Sequence, residues 1–299
     1  MTDTSDTADE VTSLQCMNVW GGNEPTHSAL GVTGIDVTVR CRPWHDEEQG
    51  GDLYLVSMCA CATISRFILA DVAGHGMRVA PLARRLRRLM YKHINRPDQT
   101  HVARSLSSEF ADLEASGRFA TALLLTYLPE TDHLIVCNAG HPPPLWYRQC
   151  DQAWHTIDAN DPAVAEVADP NFPIGVLPGT AYEQCAIQLD PGDLIVLYSD
   201  GLIEAAAPTG ERMLGVEGLR TLLAKLSPEP TTLADHLLDQ VSPPQNGAAD
   251  DDQTVVVLHH NAENPPQQSM SEKLAVLARM IGVKASLLSG RVPDESVTA

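Results

Sequence analysis

The sequence predicts an α+β fold in which antiparallel β-sheets stack on one another and helices cover them. Short apolar runs rich in β-branched residues follow one another through tight turns, which is the pattern of antiparallel strands. Amphipathic helices come as neighbouring pairs and do not alternate with strands, which disfavours a parallel sheet. With 299 residues and 43% hydrophobic residues, the chain is able to bury a sizeable core.

The first half of the domain is predicted to contain strands followed by a helix pair. Apolar runs predict three strands, at 31–40, 52–61 and 66–72. The run 77–94 predicts a helix because its apolar residues form one stripe and Pro81 falls in the first turn, where a missing N–H costs little. A second helix is predicted at 100–116, with Thr100 as its N-cap.

The second half is predicted to return to strands before a second helix pair. Strands are expected at 119–128, 133–139, 143–148, 182–189, 193–199 and 253–260. The polar, Pro- and Ala-rich residues 149–171 predict a surface excursion, and "DPGD" (190–193) predicts a tight turn. Helices are expected at 216–226 and 231–241.

The chain is predicted to have one domain with a short extension at each end. Residues 1–13 are polar and acidic, without the basic and apolar regions of a secretory signal, and predict a disordered tail. The domain spans 14–260, and "CMNVWGGNEPT" (16–26) is interpreted as an extra strand and loop packed on it. Residues 261–299 are expected to form a linker, a short helix at 271–282 and a frayed C-terminus.

Charge and composition exclude several classes of protein. A net charge of -19 disfavours binding to nucleic acid or to an anionic membrane surface, because phosphates repel such a protein. No uncharged apolar run reaches the roughly 18 residues that a membrane span needs. The seven cysteines are an odd number in a large chain, which favours reduced thiols and a cytoplasmic location.

Acidic residues stand next to predicted strands at four places. Asp52 follows two glycines at the head of a strand, Asp71 ends one within "ADVAGHG", and Asp200 ends another before a glycine. The last strand is preceded by three acids, Asp250, Asp251 and Asp252. Each motif alone is typical of a turn or a solvated loop. Together they indicate side chains held rigidly near the rim of a sheet, where a functional site can be pre-positioned.

Such a group of carboxylates predicts a site for divalent metal ions. Clustered carboxylates raise one another's pKa unless cations lie between them, and Mg²⁺ and Mn²⁺ prefer oxygen ligands. Four carboxylates balance the charge of two divalent ions, which can share a bridging water and clamp a phosphoryl group. We therefore predict hydrolysis of a phosphate ester without a protein nucleophile. The chain contains no Cys-x5-Arg loop, no G-x-S-x-G elbow and no G-x-x-x-x-G-K-[ST] loop.

The order of motifs along the chain resembles a known family. "GGD", "ADVAGHG", "FATALLL", "NAGHPPPLW", "FPIGV", "LDPGDLIVLYSDGLIEA" and "DDQT" occur in the order seen in the metal-dependent type 2C protein phosphatases, specifically their bacterial SpoIIE/RsbU-like branch. The resemblance runs from about residue 50 to residue 259. It implies an α-β-β-α sandwich, in which two antiparallel sheets are flanked by helices and two Mn²⁺ or Mg²⁺ ions bind at one edge.

The resemblance also implies a role for individual residues. Asp71 is expected to bridge both ions and Asp52 to hold one of them, and these two are the expected catalytic residues. The other ion is expected to bind Asp200 and Asp251, with Asp251 preferred over Asp252 as the ligand. The backbone carbonyl of Val72 matches a further ligand position.

The implied activity is hydrolysis of phosphoserine or phosphothreonine in a protein by a metal-bridging water. In this branch the substrate is typically an anti-sigma-factor antagonist in a bacterial signalling switch. The alternative is a catalytically silent phosphatase-fold module that binds a partner protein. That alternative is motivated by the short region before "GGD" and by a basic face on the helix predicted at 77–94. The sequence does not identify the physiological substrate or the oligomeric state.

Three further residues each have two interpretations. His75 either donates a proton to the leaving group or holds the turn between two glycines. His141 is interpreted as architectural rather than catalytic. Arg42 could bind the substrate phosphate in a bidentate manner, but a surface role is the preferred interpretation.

Overall fold

The computed structural model describes residues 12–14, 18–59, 63–74, 79–96, 98–113, 118–158, 171–177, 179–206, 213–242 and 251–263. The predicted C-terminal helix at 271–282 lies outside these residues, as does most of the predicted N-terminal tail. Across these segments, no helix is long and apolar enough to span a membrane.

Thirteen strands are described in chain order. They are β1 (Thr12–Ser13), β2 (Val19–Gly22), β3 (Thr26–Val32), β4 (Ile35–Arg42), β5 (Asp52–Cys59), β6 (Ile64–Val72), β7 (Ala120–Leu128), β8 (His133–Ala139), β9 (Leu145–Arg148), β10 (Ala153–Thr156), β11 (Cys185–Gln188), β12 (Leu194–Tyr198) and β13 (Gln253–His260). One sheet has seven strands in the order β1-β3-β4-β13-β12-β9-β10, and the other has six in the order β11-β8-β7-β6-β5-β2. Neighbours are antiparallel, apart from the parallel pairing of the short β1 with β3.

Five α-helices are described beside these strands. They are α1 (Ala80–His93), α2 (Gln99–Leu113), α3 (Asp200–Ile203), α4 (Gly215–Leu223) and α5 (Leu233–Val241). In α1 the buried residues form the stripe that the sequence predicts, and Pro81 lies in the first turn. A single 3₁₀ turn, Trp44–Asp46, lies between β4 and β5.

Alternation along the strands builds three apolar layers. In β6, Leu69 belongs to a core formed between the two sheets, whereas its neighbour Ile68 belongs to a core shared with Leu86 of α1. On the other side, Val257 of β13 packs with Leu237 of α5 in a third core. The order of layers is therefore helices, sheet, sheet, helices. This arrangement confirms the predicted α-β-β-α sandwich.

The first predicted strand was wrong in one respect. The run 31–40 is not one strand, because it crosses a hairpin turn between β3 and β4. Gly34 supplies a φ of +79° in this turn, a value that side chains disfavour, and it packs against the ring of Tyr127. The extra strand expected within 16–26 is confirmed as β2, which pairs with β5 at the sheet edge.

One further local prediction needs correction, and two short elements were not predicted. Thr100 is not the N-cap of α2, because the helix begins at Gln99 and Asp98 accepts hydrogen bonds from the N–H groups of Thr100 (2.9 Å) and His101 (3.2 Å). The polar segment 149–171 is not wholly a loop, since it contains β10. The short helix α3, which begins at Asp200 itself, has no periodic signal in so few residues.

Candidate functional site

Three polar side chains form a row across the six-stranded sheet at one end of the sandwich. Asp52 begins β5 and lies directly opposite Asp71 of β6, which in turn lies directly opposite Thr121 of β7. Residues opposite one another in neighbouring strands place their side chains on the same face. By the alternation along each strand, this is the face that carries Tyr54 and Leu69 into the core between the sheets.

The seven-stranded sheet brings a second set of acids to the same end. Asp200 follows β12, and Asp251 and Asp252 precede the adjacent strand β13. The N–H of Ser199 donates to the carbonyl of Thr254 (3.1 Å), so these two chain segments remain side by side beyond the strands. Gly201 is required here, because a Cβ at this position would collide with the carbonyl oxygen of Asp252.

The pKa shifts show that the two sets of acids meet. Burial raises the pKa of Asp71 well above its usual value, and the negative charges of Asp52 and Asp200 raise it further. Burial also raises the pKa of Asp200 to about 6, with an added contribution from Asp251. The structure therefore brings the four aspartates singled out in the sequence into one electrostatic cluster.

Asp52 is the most deeply buried member of this cluster, with 1% of its surface exposed. Both of its carboxylate oxygens are buried, and neither has a partner at hydrogen-bond distance among the residues that the structure describes. Burial and the neighbouring charge of Asp252 raise its pKa well above the usual value, which the nearby hydroxyls of Ser199 and Thr254 offset only in part. A buried carboxylate without donors is energetically unfavourable unless a cation compensates its charge.

The donor set fits a hard divalent cation. The oxygens belong to aspartates, which are the ligands that Mg²⁺ and Mn²⁺ prefer, and those of Asp52 are unsatisfied. No three His, Cys, Asp or Glu side chains of the described segments converge to metal-binding distance. The aspartates are therefore a group of neighbouring charges, not a closed coordination sphere.

Two glycines before β5 keep the backbone close to the aspartate cluster. A Cβ on Gly50 would press on the carboxylate of Asp252, and a Cβ on Gly51 would come 3.2 Å from the carbonyl oxygen of Val72. Val72 is buried at the end of β6, directly after Asp71. The "GGD" motif thus allows a close approach that a residue with a Cβ would permit only if Asp252 and the neighbouring backbone shifted.

Asp252 has a role that sequence reasoning missed. Its Oδ1 accepts the N–H of Trp44 (2.7 Å) and its Oδ2 accepts the N–H of Gly51 (2.6 Å). The carboxylate therefore joins the head of β13 to the turn that leads into Asp52. No local signal reveals this, because the donors lie about two hundred residues away along the chain. Asp251, by contrast, accepts the N–H of its neighbour Asp252 through Oδ1 (2.8 Å).

The structure supports the architectural interpretation of His141. Its side chain is buried, and its ring nitrogens contact Thr121 Oγ1 (2.7 Å) and the Tyr198 carbonyl oxygen (3.0 Å). Arg42 forms an exposed ion pair with Asp239 (2.8 Å), in line with the preferred surface role. His75 and Asp250 lie outside the described residues.

Comparison with known proteins gives consistent results. A sequence profile described as stage II sporulation protein E (SpoIIE) matches residues 64–261. The phosphoserine phosphatase RsbU of Bacillus subtilis (strain 168) is 24% identical over 195 residues, which cover 64% of this chain and 51% of RsbU. The chain thus matches about half the length of this relative.

Solved structures share the fold. The PP2C phosphatase domain of the cell fate determinant SpoIIE from Bacillus subtilis, with a fragment of its regulatory domain, superposes with a TM-score of 0.62 at 19% identity, covering 81% of this chain and 71% of that one. RsbX in complex with magnesium gives a TM-score of 0.57 at 13% identity, covering 78% of this chain and 98% of that one. At these identities the similarity shows that the two sheets and their helices form the PP2C fold.

Proposed function

The chain belongs to the SpoIIE family, and on that premise we propose that it is a metal-dependent protein serine/threonine phosphatase. The observation that carries the proposal is Asp52, a buried carboxylate whose two oxygens have no donor at hydrogen-bond distance in the described part of the chain and whose pKa, like that of Asp71, is raised by burial and by the charges of further aspartates. Such an arrangement is unfavourable for the fold alone and is suited to binding cations. The name of RsbU as a phosphoserine phosphatase supports the same class of reaction.

In this proposal Asp52, Asp71, Asp200, Asp251 and the carbonyl of Val72 hold two Mg²⁺ or Mn²⁺ ions, with Asp52 and Asp71 closest to the reaction. The magnesium complex of RsbX supports this choice of metal. When bound, such ions would supply positive charge for the phosphoryl group and would lower the pKa of a water so that it can attack phosphorus. Asp251 is the proposed ligand, and not Asp252, because both oxygens of Asp252 already accept backbone N–H groups.

The chain's own contribution is to hold these carboxylates in place before substrate arrives. Asp52 and Asp71 are fixed by the register of β5 and β6, and Asp200 and Asp251 by the adjacent ends of β12 and β13. Side chains on rigid strands need no reorganisation when charge develops in the transition state. A Ser or Thr nucleophile is not needed, since water is the attacking group.

The proposed substrate is a protein carrying phosphoserine or phosphothreonine. The resemblance to the RsbU-like branch extends the proposal to a phosphorylated anti-sigma-factor antagonist, in a cytoplasmic bacterial signalling switch. The catalytically silent alternative is not favoured, because every aspartate expected in the site is present and lies in one cluster.

Hydrolysis of p-nitrophenyl phosphate tests this proposal. We expect the protein to cleave this ester with Mn²⁺ and to lose the activity with a chelator. The Asp71→Asn variant should lose activity by about 100- to 1000-fold or more, because a group that organises the transition-state charge is removed. Asp36→Asn is the matched control, since Asp36 lies at the opposite end of β4 and should leave activity unchanged.

Two results would overturn the proposal. One is a metal-loaded protein that is inert on p-nitrophenyl phosphate and on a phosphoserine peptide. The other is an Asp71→Asn variant that keeps its metal-dependent activity. Circular dichroism of the variant separates a loss of chemistry from a loss of folding.

A further inference from the structure

His141 connects the two sheets directly behind the aspartate cluster. It lies in the loop after β8, with 4% of its surface exposed. One ring nitrogen contacts Thr121 of β7 in the six-stranded sheet, and the other contacts the carbonyl of Tyr198 at the end of β12 in the seven-stranded sheet. A single side chain therefore spans the gap between the layers.

The chemistry of the two partners determines the direction of each hydrogen bond. The Tyr198 carbonyl can only accept, so Nε2 carries the proton and donates to it (3.0 Å). In a neutral imidazole Nδ1 is then an acceptor, and it accepts the hydroxyl proton of Thr121 (2.7 Å). Burial lowers the pKa of His141 to about 4, which keeps the ring neutral near pH 7.

The partners of His141 are close in register or sequence to one aspartate from each sheet. Thr121 lies directly opposite Asp71 in the pairing of β6 with β7. Tyr198 comes two residues before Asp200, where β12 ends. The histidine thus links the strand beside Asp71 to the strand that carries Asp200.

The loop that carries His141 is itself held firmly. The side chain of Asn138 donates to the His141 carbonyl (2.8 Å) and accepts the His141 N–H (2.8 Å). Gly140 has a φ of +69°, and a Cβ there would meet the ring of Pro173. The His141 ring is therefore held at both ends. If one sheet shifted relative to the other, at least one of its two hydrogen bonds would have to lengthen or break.

We propose that His141 is a positioning residue that sets the separation between Asp71 and Asp200 and thereby the affinity of the aspartate cluster for divalent metal ions. This inference rests on the proposed function, since it concerns the same site. The competing view is that His141 only stabilises the fold, as many buried histidines do. If His141 only stabilises the fold, a variant elsewhere with a similar loss of stability should weaken metal binding to the same extent. If His141 positions the aspartates, such a variant should leave metal binding unchanged.

Substitutions that remove one bond at a time distinguish these views. His141→Gln has an amide that can replace Nε2 as the donor to Tyr198 but places no acceptor at the position of Nδ1, where Thr121 donates. Thr121→Val removes the same bond from the other side. The Mn²⁺ dissociation constant, measured by calorimetry, should rise by about 10- to 100-fold in both variants, the usual effect of losing a group that orients ligands. Thr121→Ser keeps the hydroxyl and should restore wild-type affinity.

His260→Gln is the matched control. His260 is also buried and hydrogen-bonded (Nε2 to Asp132 Oδ1, 3.0 Å), but it ends β13 at the far end of the sandwich. This variant should lower the melting temperature while leaving the Mn²⁺ dissociation constant unchanged.

The inference is wrong if His141→Gln and Thr121→Val bind Mn²⁺ as tightly as the wild type. It is also wrong if His260→Gln weakens Mn²⁺ binding to the same extent, because a general loss of stability then explains the effect. Should His141→Gln not fold, Thr121→Val and Thr121→Ser decide the question. Failure of the proposed function is recognised separately, since the wild type would then neither bind Mn²⁺ nor hydrolyse a phosphate ester.

Discussion

The two ends of the sandwich both carry aspartates at strand boundaries, but they supply these aspartates with very different partners. At the far end, Asp193 precedes β12 and is buried, and its carboxylate accepts the indole N–H of Trp146 (3.0 Å) and the N–H groups of Gln149 (2.8 Å) and Asp190 (3.0 Å). At the near end, Asp52 is equally buried, but no group of the described residues donates to it at hydrogen-bond distance, and only the hydroxyls of Ser199 and Thr254 lie near enough to offset in part the rise in its pKa that burial causes.

This contrast separates a structural acid from acids that we propose to be functional within one fold. Asp193 and Asp200 flank the same strand, and both are followed or preceded by glycine in a turn-like sequence. The supply of donors differs most between Asp193, whose carboxylate accepts three N–H groups, and Asp52, which has no donor at hydrogen-bond distance among the described residues. The donor supply, and not the local sequence, is therefore the better guide to a site.

Removal of the far-end carboxylate should produce the largest change in stability. In Asp193→Ala three buried or partly buried N–H groups lose their acceptor, so we expect the free energy of unfolding to fall by about 3 kcal/mol. Urea denaturation measures this change. Activity per folded molecule should remain at the wild-type level, and a selective loss of activity would show that the two ends are not independent.

Removal of the near-end carboxylate should raise the free energy of unfolding when no metal is bound. Asp52→Asn eliminates a buried charge without donors, so in a chelator we expect the protein to gain about 1–2 kcal/mol of stability. With saturating Mn²⁺ the wild type should be more stable than Asp52→Asn, because only the wild type is fully stabilised by the bound metal. Thermal unfolding with and without metal measures both stabilities. If Asp52→Asn is less stable than the wild type in chelator, Asp52 is not unfavourable for folding and does not differ from Asp193 in this way.

A further expected effect is a pH dependence at the near end. The pKa of Asp200 rises from 3.8 to about 6 on folding, so its charged form is disfavoured in the folded state. In chelator, the stability that Asp200 contributes should therefore fall as the pH rises from about 4 to about 6, and level off above that. The stability advantage of Asp200→Asn should grow over the same range. Thermal unfolding across this range is the measurement, and a flat difference would mean that Asp200 is not coupled to the cluster.

The sequence predicts a strand or helix well where the element has a clear pattern of apolar and polar residues within its own length. The bounds of β13 are correct to the residue, because the apolar run is continuous and bordered by polar residues. The interpretation of Asp71 and Asp200 as neighbours also follows from acids placed at strand ends, and the structure brings them together.

The remainder depends on contacts between distant parts of the chain. The importance of Thr121 follows from the register of β6 against β7, which no local pattern reveals. The partners of Asp252 are backbone N–H groups of Trp44 and Gly51, which carry no side-chain signature at all. The turn at Gly34 was missed because the residues on both sides favour strands equally well.

The pairing of β4 with β13 has a consequence for how the protein is made. These strands are central neighbours in the seven-stranded sheet, yet more than two hundred residues separate them along the chain. During translation, Asp52 and Asp71 leave the ribosome well before residues 251–260 exist. Contacts between such distant segments form late and slowly. A nascent chain, or one cut by a protease before residue 251, therefore lacks Asp251 and the strand that pairs with both β4 and β12, and the proposed phosphatase becomes active only after β13 has been made.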